Sequence, residues 1–93
     1  MTAHLERLVE IALRDVIDPE LERSVIDLGL IYGIAATPEG AVTVTMTTTT
    51  RGCPLAGFLK EAVAIAAGAI EGVDAVEVVL TDEPAWQPAM VAA

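Results

Sequence analysis

Met46-Thr47-Thr48-Thr49-Thr50-Arg51-Gly52-Cys53-Pro54-Leu55-Ala56-Gly57 is the stretch in which the chain changes period, and that change decides the fold. Before it, Val42, Val44 and Met46 alternate with Thr43, Thr45 and Thr47, the two-residue period of a half-buried strand. After it, Leu55, Leu59, Ala62, Val63, Ala66 and Ile70 recur at helical spacing, which predicts a helix over 54–70. Pro54 suits the first helical position, because the N–H it lacks would have had no partner there. Cys53, the only cysteine, thus falls at or next to the N-cap. Unpaired N–H groups and the positive end of the helix dipole stabilise an anion at that place. A thiol so placed is expected to ionise more readily, and the thiolate is the form that binds metals and attacks electrophiles.

Working outward, Leu5, Leu8, Val9, Ala12, Leu13 and Val16 give a first helix over 3–16 with Thr2 as its N-cap. Asp18-Pro19 ends it, since the residue before a proline is pushed out of the helical region. A short further turn over 19–23, capped by Asp18, follows. A strand is expected over 28–36 with Leu30, Tyr32 and Ile34 on one side, then turn chemistry at Pro38-Glu39-Gly40 and a second strand over 41–48. Gly72 is placed as the C′ residue of the second helix, and a third strand covers 75–81. The predicted fold class is α+β, a two-layer α-β-β-α-β domain with both helices on one face of a three-stranded sheet. Leu8, Leu13, Leu30, Val44, Leu59, Val63 and Val78 are expected in its core. Residues 1–93 read as one domain, with 81–93 an irregular tail carrying Pro84 and Pro88.

Composition bounds the function. Ninety-three residues bury about 60–70% of the surface their unfolded chain exposes, enough for one modest core. A lone cysteine forms no disulfide within the chain, so stability rests on packing and a reducing compartment is expected. The N-terminus lacks a basic stretch followed by an apolar core, so no signal peptide is expected. Hydrophobic content is 54%, yet no uninterrupted apolar run approaches the roughly 18 residues needed to span a bilayer. With a net charge of −9 and five basic residues, the chain cannot cover a phosphate backbone, which argues against nucleic acid. The expectation is an acidic, cytoplasmic domain.

Several of these strings, in order, resemble one family. Val16-Ile17-Asp18-Pro19-Glu20-Leu21 and Val25-Ile26-Asp27-Leu28-Gly29-Leu30-Ile31-Tyr32 come first. The opening stretch through Gly57 follows, then Ile70-Glu71-Gly72-Val73 and Pro84-Ala85-Trp86. The ordered set, about nine tenths of the chain, resembles the PaaD/SufT-type iron–sulfur cluster assembly factors, also known as domain of unknown function 59. That resemblance implies a small α+β domain that helps to mature iron–sulfur proteins and catalyses no metabolic step. It places the shared polar patch on Asp18, Glu20, Thr49, Thr50 and Cys53. Arg51 departs from the pattern, standing where relatives often carry proline. The cysteine-rich tail of the PaaD branch has no counterpart up to Ala93, which sets aside that branch's role in assembling a ring-epoxidising enzyme.

Each candidate residue has a plainer reading beside the functional one. Cys53 reads as a buried small hydrophobe at a helix start, or as a thiolate favoured by Gly52 and the nearby Arg51 cation. Asp18 and Glu20 serve as a helix-stop device, or as carboxylates poised for a metal or proton. Asp27 reads as a turn cap. Thr43, Thr45 and Thr47 face water, whereas Thr49 and Thr50 leave the alternation and could bond to the sulfur or to a bound anion. Trp86 anchors the proline-rich tail over the core or contacts a partner. His4, near the start of the first helix, is remote in sequence from the cysteine.

Two functional classes follow. In one, the domain handles iron or an iron–sulfur cluster transiently through Cys53. A cluster takes about four thiolates; one chain offers one and a symmetric homodimer two, so carboxylates, a small thiol or a client completes the shell. In the other, the domain is an adaptor between client and carrier proteins that holds no metal. A thiol enzyme needs a base and an orienting group, and with the lone histidine remote only Asp or Glu could serve.

Overall fold

The alternating and helical runs form the elements their periods predict. The computed structural model describes residues 2–19, 21–48, 56–81 and 83. The chain runs through α1 (Thr2–Leu13), β1 (Ile17–Asp18), β2 (Arg23–Ser24), β3 (Ile31–Ala36), β4 (Ala41–Met46), α2 (Ala56–Gly68) and β5 (Ala75–Leu80). β3, β4 and β5 form a mixed three-stranded sheet with β4 in the middle, antiparallel to β3 and parallel to β5. α1 packs on β3, α2 packs on β5 and the helices touch each other, so both cover one face. The fold is the expected α+β arrangement, with one addition. β1 and β2 pair as a two-residue antiparallel ribbon between α1 and β3, where only a capped turn was expected.

One layer of apolar side chains joins sheet to helices. Val42, Val44 and Met46 of β4 are buried against Val9 and Leu13 of α1 and Leu59, Val63 and Ala67 of α2, with Leu28, Leu30 and Val78 completing the layer. Six of the seven expected core residues are buried; Leu8 is half-buried and its neighbour Val9 takes the inner position. Thr43 and Thr45 lie half-buried on the opposite, helix-free face, but Thr47 is buried, contrary to the expectation that it faces water. It follows the end of β4, where its N–H donates to the Leu30 carbonyl at 2.8 Å.

Boundaries moved for identifiable reasons. α1 stops at Leu13, and the chain tightens into three i→i−3 bonds: Arg14, Asp15 and Val16 donate to Ile11, Ala12 and Leu13. Val16 is therefore a buried residue leading into the ribbon and not the helix's last position. The 28–36 strand begins only at Ile31, because Leu28 and Gly29 close turns onto Ser24 and Ile26. A bulge between Ile31 and Gly33 breaks the alternation, so Ile31 and Ile34, not Tyr32, share the helix-facing side with Val44 and Met46. α2 ends at Gly68, which puts Gly72 four residues past it; its φ of 98° serves the turn into β5 and not a C′ cap.

The topology gives the sheet two distinct ends. β4 and β5 run parallel, so α2 must return between them, and its last residue, Gly68, lies beside Val76 near the start of β5. α1 starts at that same end, with Leu5 beside Gly72. Glu6, one residue on, accepts the Ala36 N–H of edge strand β3 at 3.0 Å. The other end gathers the C-termini of α1, β4 and β5 and the first residues of α2.

Candidate functional site

At that second end the backbone is tied into one frame. The Val25 N–H donates to the Val16 carbonyl at 2.9 Å, closing the base of the ribbon. The Leu30 N–H donates to Val25 at 3.0 Å, the Thr47 N–H to Leu30 at 2.8 Å, and the Thr81 N–H to Met46 at 2.9 Å. These bonds connect the ribbon, the start of β3, the end of β4 and the exit of β5. The link 49–55, which carries Cys53, leaves β4 from this frame and enters α2.

Asp18 is the candidate whose surroundings are described most fully. It is 2% exposed, in β1, opposite Arg23 of β2. Its Oδ1 accepts the Leu21 N–H at 3.4 Å and its carbonyl accepts the Glu22 N–H at 2.7 Å, so it caps the ribbon's turn as the sequence suggested. Glu22 takes φ 55°, the left-handed geometry that lets this tight turn reverse the chain. Asp27 is exposed in the turn before β3. At the same turn the Ser24 Oγ receives the Ile26 N–H at 3.1 Å. His4 sits on α1's exposed first turn, at the opposite end of the sheet. Glu20, Thr49, Thr50, Cys53 and Trp86 lie outside the described residues.

Sequence reasoning passed over three residues here. Ser24 is buried; its hydroxyl donates to the Leu13 carbonyl at 3.5 Å while accepting from Ile26, pinning the end of α1 to the ribbon. Ser24→Ala is expected to leave the part-buried Ile26 N–H unmatched and to cost about 1–3 kcal/mol, read as a lower urea midpoint at unchanged slope. Ile17 and Leu21 flank Asp18 and are roughly half exposed, at 48% and 43%. Leu21 stood inside one of the quoted strings, but nothing in its period marked it as an exposed apolar residue.

Among the described residues, no group of three or more His, Cys, Asp or Glu side chains is arranged to hold a metal ion. Nor is any helix among them long and apolar enough to cross a membrane. What the frame offers is a buried carboxylate, two exposed apolar side chains and the anchors of a cysteine-bearing link.

Comparison with known proteins agrees with the order of these elements. The model of the family described as iron-sulfur cluster assembly protein matches residues 6–78. An Fe-S protein maturation auxiliary factor of Porphyromonas gingivalis is 46% identical over 79 residues, covering 85% of this chain and 75% of that protein. The Fe-S protein maturation auxiliary factor SufT of Staphylococcus aureus is 36% identical over 76 residues, 82% of this chain and 86% of that one. The crystal structure of a domain of unknown function 59 from Bacillus anthracis superposes with a TM-score of 0.94 at 30% identity, covering 98% of this chain and 87% of that one. With the family pattern matched from α1 to β5 and the same fold in a solved relative, the chain belongs to the iron-sulfur cluster assembly protein family.

Proposed function

We propose that this domain is an accessory factor in iron–sulfur cluster assembly or transfer, and that the thiolate of Cys53 is the group that meets the cluster, the iron or the client. The observation that carries this reading is the common frame. The backbone bonds that hold the Asp18 ribbon also hold the point where the Cys53 link leaves β4. Names of relatives support the setting: those of Porphyromonas gingivalis and Staphylococcus aureus are maturation auxiliary factors and not enzymes. A soft thiolate suits iron, and a neighbouring carboxylate adds a hard oxygen donor or a proton acceptor. Asp18, Glu20, Thr49, Thr50 and Cys53 form the proposed patch, and a cluster held by so few thiolates is one that is passed on.

Cluster or iron is cargo in this scheme. One thiol per chain leaves a cluster's four-ligand shell open, and a symmetric pair of chains supplies half of it. A client or small thiol then completes the shell and draws the cluster away. Anaerobic reconstitution with ferrous iron and sulfide tests this. A dimer with a visible chromophore, at one cluster per two chains, is expected to form and to bleach when an apo-client is added. A colourless monomer that still binds client selects the second reading.

That second reading is an adaptor that contacts client or carrier and holds no metal. Two observations favour it. Ile17 and Leu21 present apolar surface beside Asp18, as a docking patch does. The net charge of −9 also opposes an anionic thiolate-ligated cluster.

A further inference from the structure

The helix-free face of the sheet carries a shallow groove of about 810 Å³, open at the end where β5 finishes. Tyr32, Thr45, Val79, Thr81 and Glu83 line it, and the bulged start of β3 at Ile31 closes one end. Val79 is 40% exposed, although it sits in the hydrogen-bonded body of the sheet opposite Thr45. The helices cover the other face, so nothing among the described elements shields these side chains. Tyr32 is the extra residue of the bulge between Ile31 and Gly33, and it lines this groove.

We propose that the groove is occupied by this chain's own last ten residues, with Trp86 as the anchor. Thr81 and Glu83 are themselves groove walls, so the chain leaves β5 at the rim and on this face. The residues that follow are Pro-Ala-Trp-Gln-Pro-Ala-Met-Val-Ala-Ala, which include no charged side chain. In a chain of net charge −9 that neutrality makes the segment fit to lie on apolar surface. Trp86 is three residues past Glu83, a reach of about 10 Å when extended, enough to bring its ring over Val79 and Tyr32. Pro84 and Pro88 favour the extended backbone such a path needs. An indole is also the side chain that gains most from covering a half-exposed apolar face, removing roughly 200 Å² from water. The competing place is the helix side of β5, where Leu80 is exposed. It lies across the sheet from the residues that guide the chain's exit.

The test uses the full-length protein and its own fluorescence, because Trp86 is the only tryptophan and Tyr32 the only tyrosine. Docking in the groove puts the two rings together. Exciting tyrosine should then yield tryptophan emission that urea abolishes, and the native Trp86 emission should be blue-shifted and shielded from acrylamide. Val79→Asp should red-shift it to the unfolded-chain position and remove the transfer, with far-UV circular dichroism unchanged. Thr45→Lys, on the same face, gives the same reading if Val79→Asp fails to fold. Native Trp86 as accessible to acrylamide as in urea overturns the proposal. So does a shift caused by Leu80→Asp and not by Val79→Asp, which places the ring on the helix side. Loss of the blue shift on dilution overturns it as well, since the tail would then be covering a second copy.

Discussion

A chain carrying Cys53→Ser is expected to melt with the wild type and yet to fail to restore iron–sulfur enzyme activity in cells that lack the protein. Serine is close to cysteine in size and is the better cap for the helix start that the sequence predicts at residue 53, so the substitution is expected to cost the helix nothing. If the thiol packs in an apolar setting, the hydroxyl adds about 1–3 kcal/mol of polar burial, against a total stability of about 5–15 kcal/mol. Function responds differently, because a hydroxyl supplies almost no anion near neutral pH. It replaces neither a soft ligand for iron nor a nucleophile. The paired measurement is thermal melting of the purified variant and activity of iron–sulfur enzymes in the complemented strain. Full complementation by a folded variant would remove the thiol from the mechanism and leave the adaptor reading. A variant that does not fold would make Cys53 a packing residue.

Gly40→Ala should cost more stability than alanine at Gly33, Gly57, Gly68 or Gly72, where an added Cβ meets no backbone atom within 4 Å. Gly40 ends the β3–β4 turn with φ 90°, where its N–H donates to the Thr37 carbonyl at 3.0 Å. Its own carbonyl accepts the Asp74 N–H at 2.8 Å, which sets the start of β5 beside β4. A Cβ there would stand 2.5 Å from the Gly72 carbonyl oxygen and 3.2 Å from the Asp74 nitrogen, both backbone atoms that cannot swing aside. The left-handed backbone costs an alanine about 1–2 kcal/mol, and relieving the clash gives up hydrogen bonding worth about 1 kcal/mol more. A loss of about 2–3 kcal/mol lowers the melting temperature of a domain this size on the order of 10–25 °C. Calorimetry checks it. An unchanged melting temperature would mean that the Gly40–Gly72 approach does not hold β5 in place.

The candidate site divides along similar lines. Cys53, Asp18 and Glu20 stand out in the sequence because their residue types and neighbours, a proline beside each, carry local chemistry. Asp18 as a turn cap was legible for that reason: its acceptor and the Leu21 donor are three residues apart. Ser24 was not legible, since its work is to reach Leu13, eleven residues back in the chain. Ile17 and Leu21 read as ordinary apolar residues, and only the ribbon turns them outward. The link 49–55 and the tail from Pro84, which hold Cys53 and Trp86, lie outside the described residues, so their places rest on the proposals above.

The sequence by itself determined the order of helices and strands, because the two-residue and 3.6-residue periods are local and the chain changes from one to the other between Met46 and Gly57. It also determined which face of β4 is buried, through the alternation of Val42, Val44 and Met46 with threonines. Only the tertiary structure decided that β5 lies parallel to β4, that Thr47 is buried, and that a bulge sets Ile31 and Ile34, not Tyr32, beside Met46 and Val44. The 17–24 ribbon belongs with these. Two residue pairs are too few to show a period, and the ribbon is held by Val25 meeting Val16 and by Leu30 meeting Thr47. Contacts of that kind join segments far apart in the chain, and local propensity carries no record of the partner.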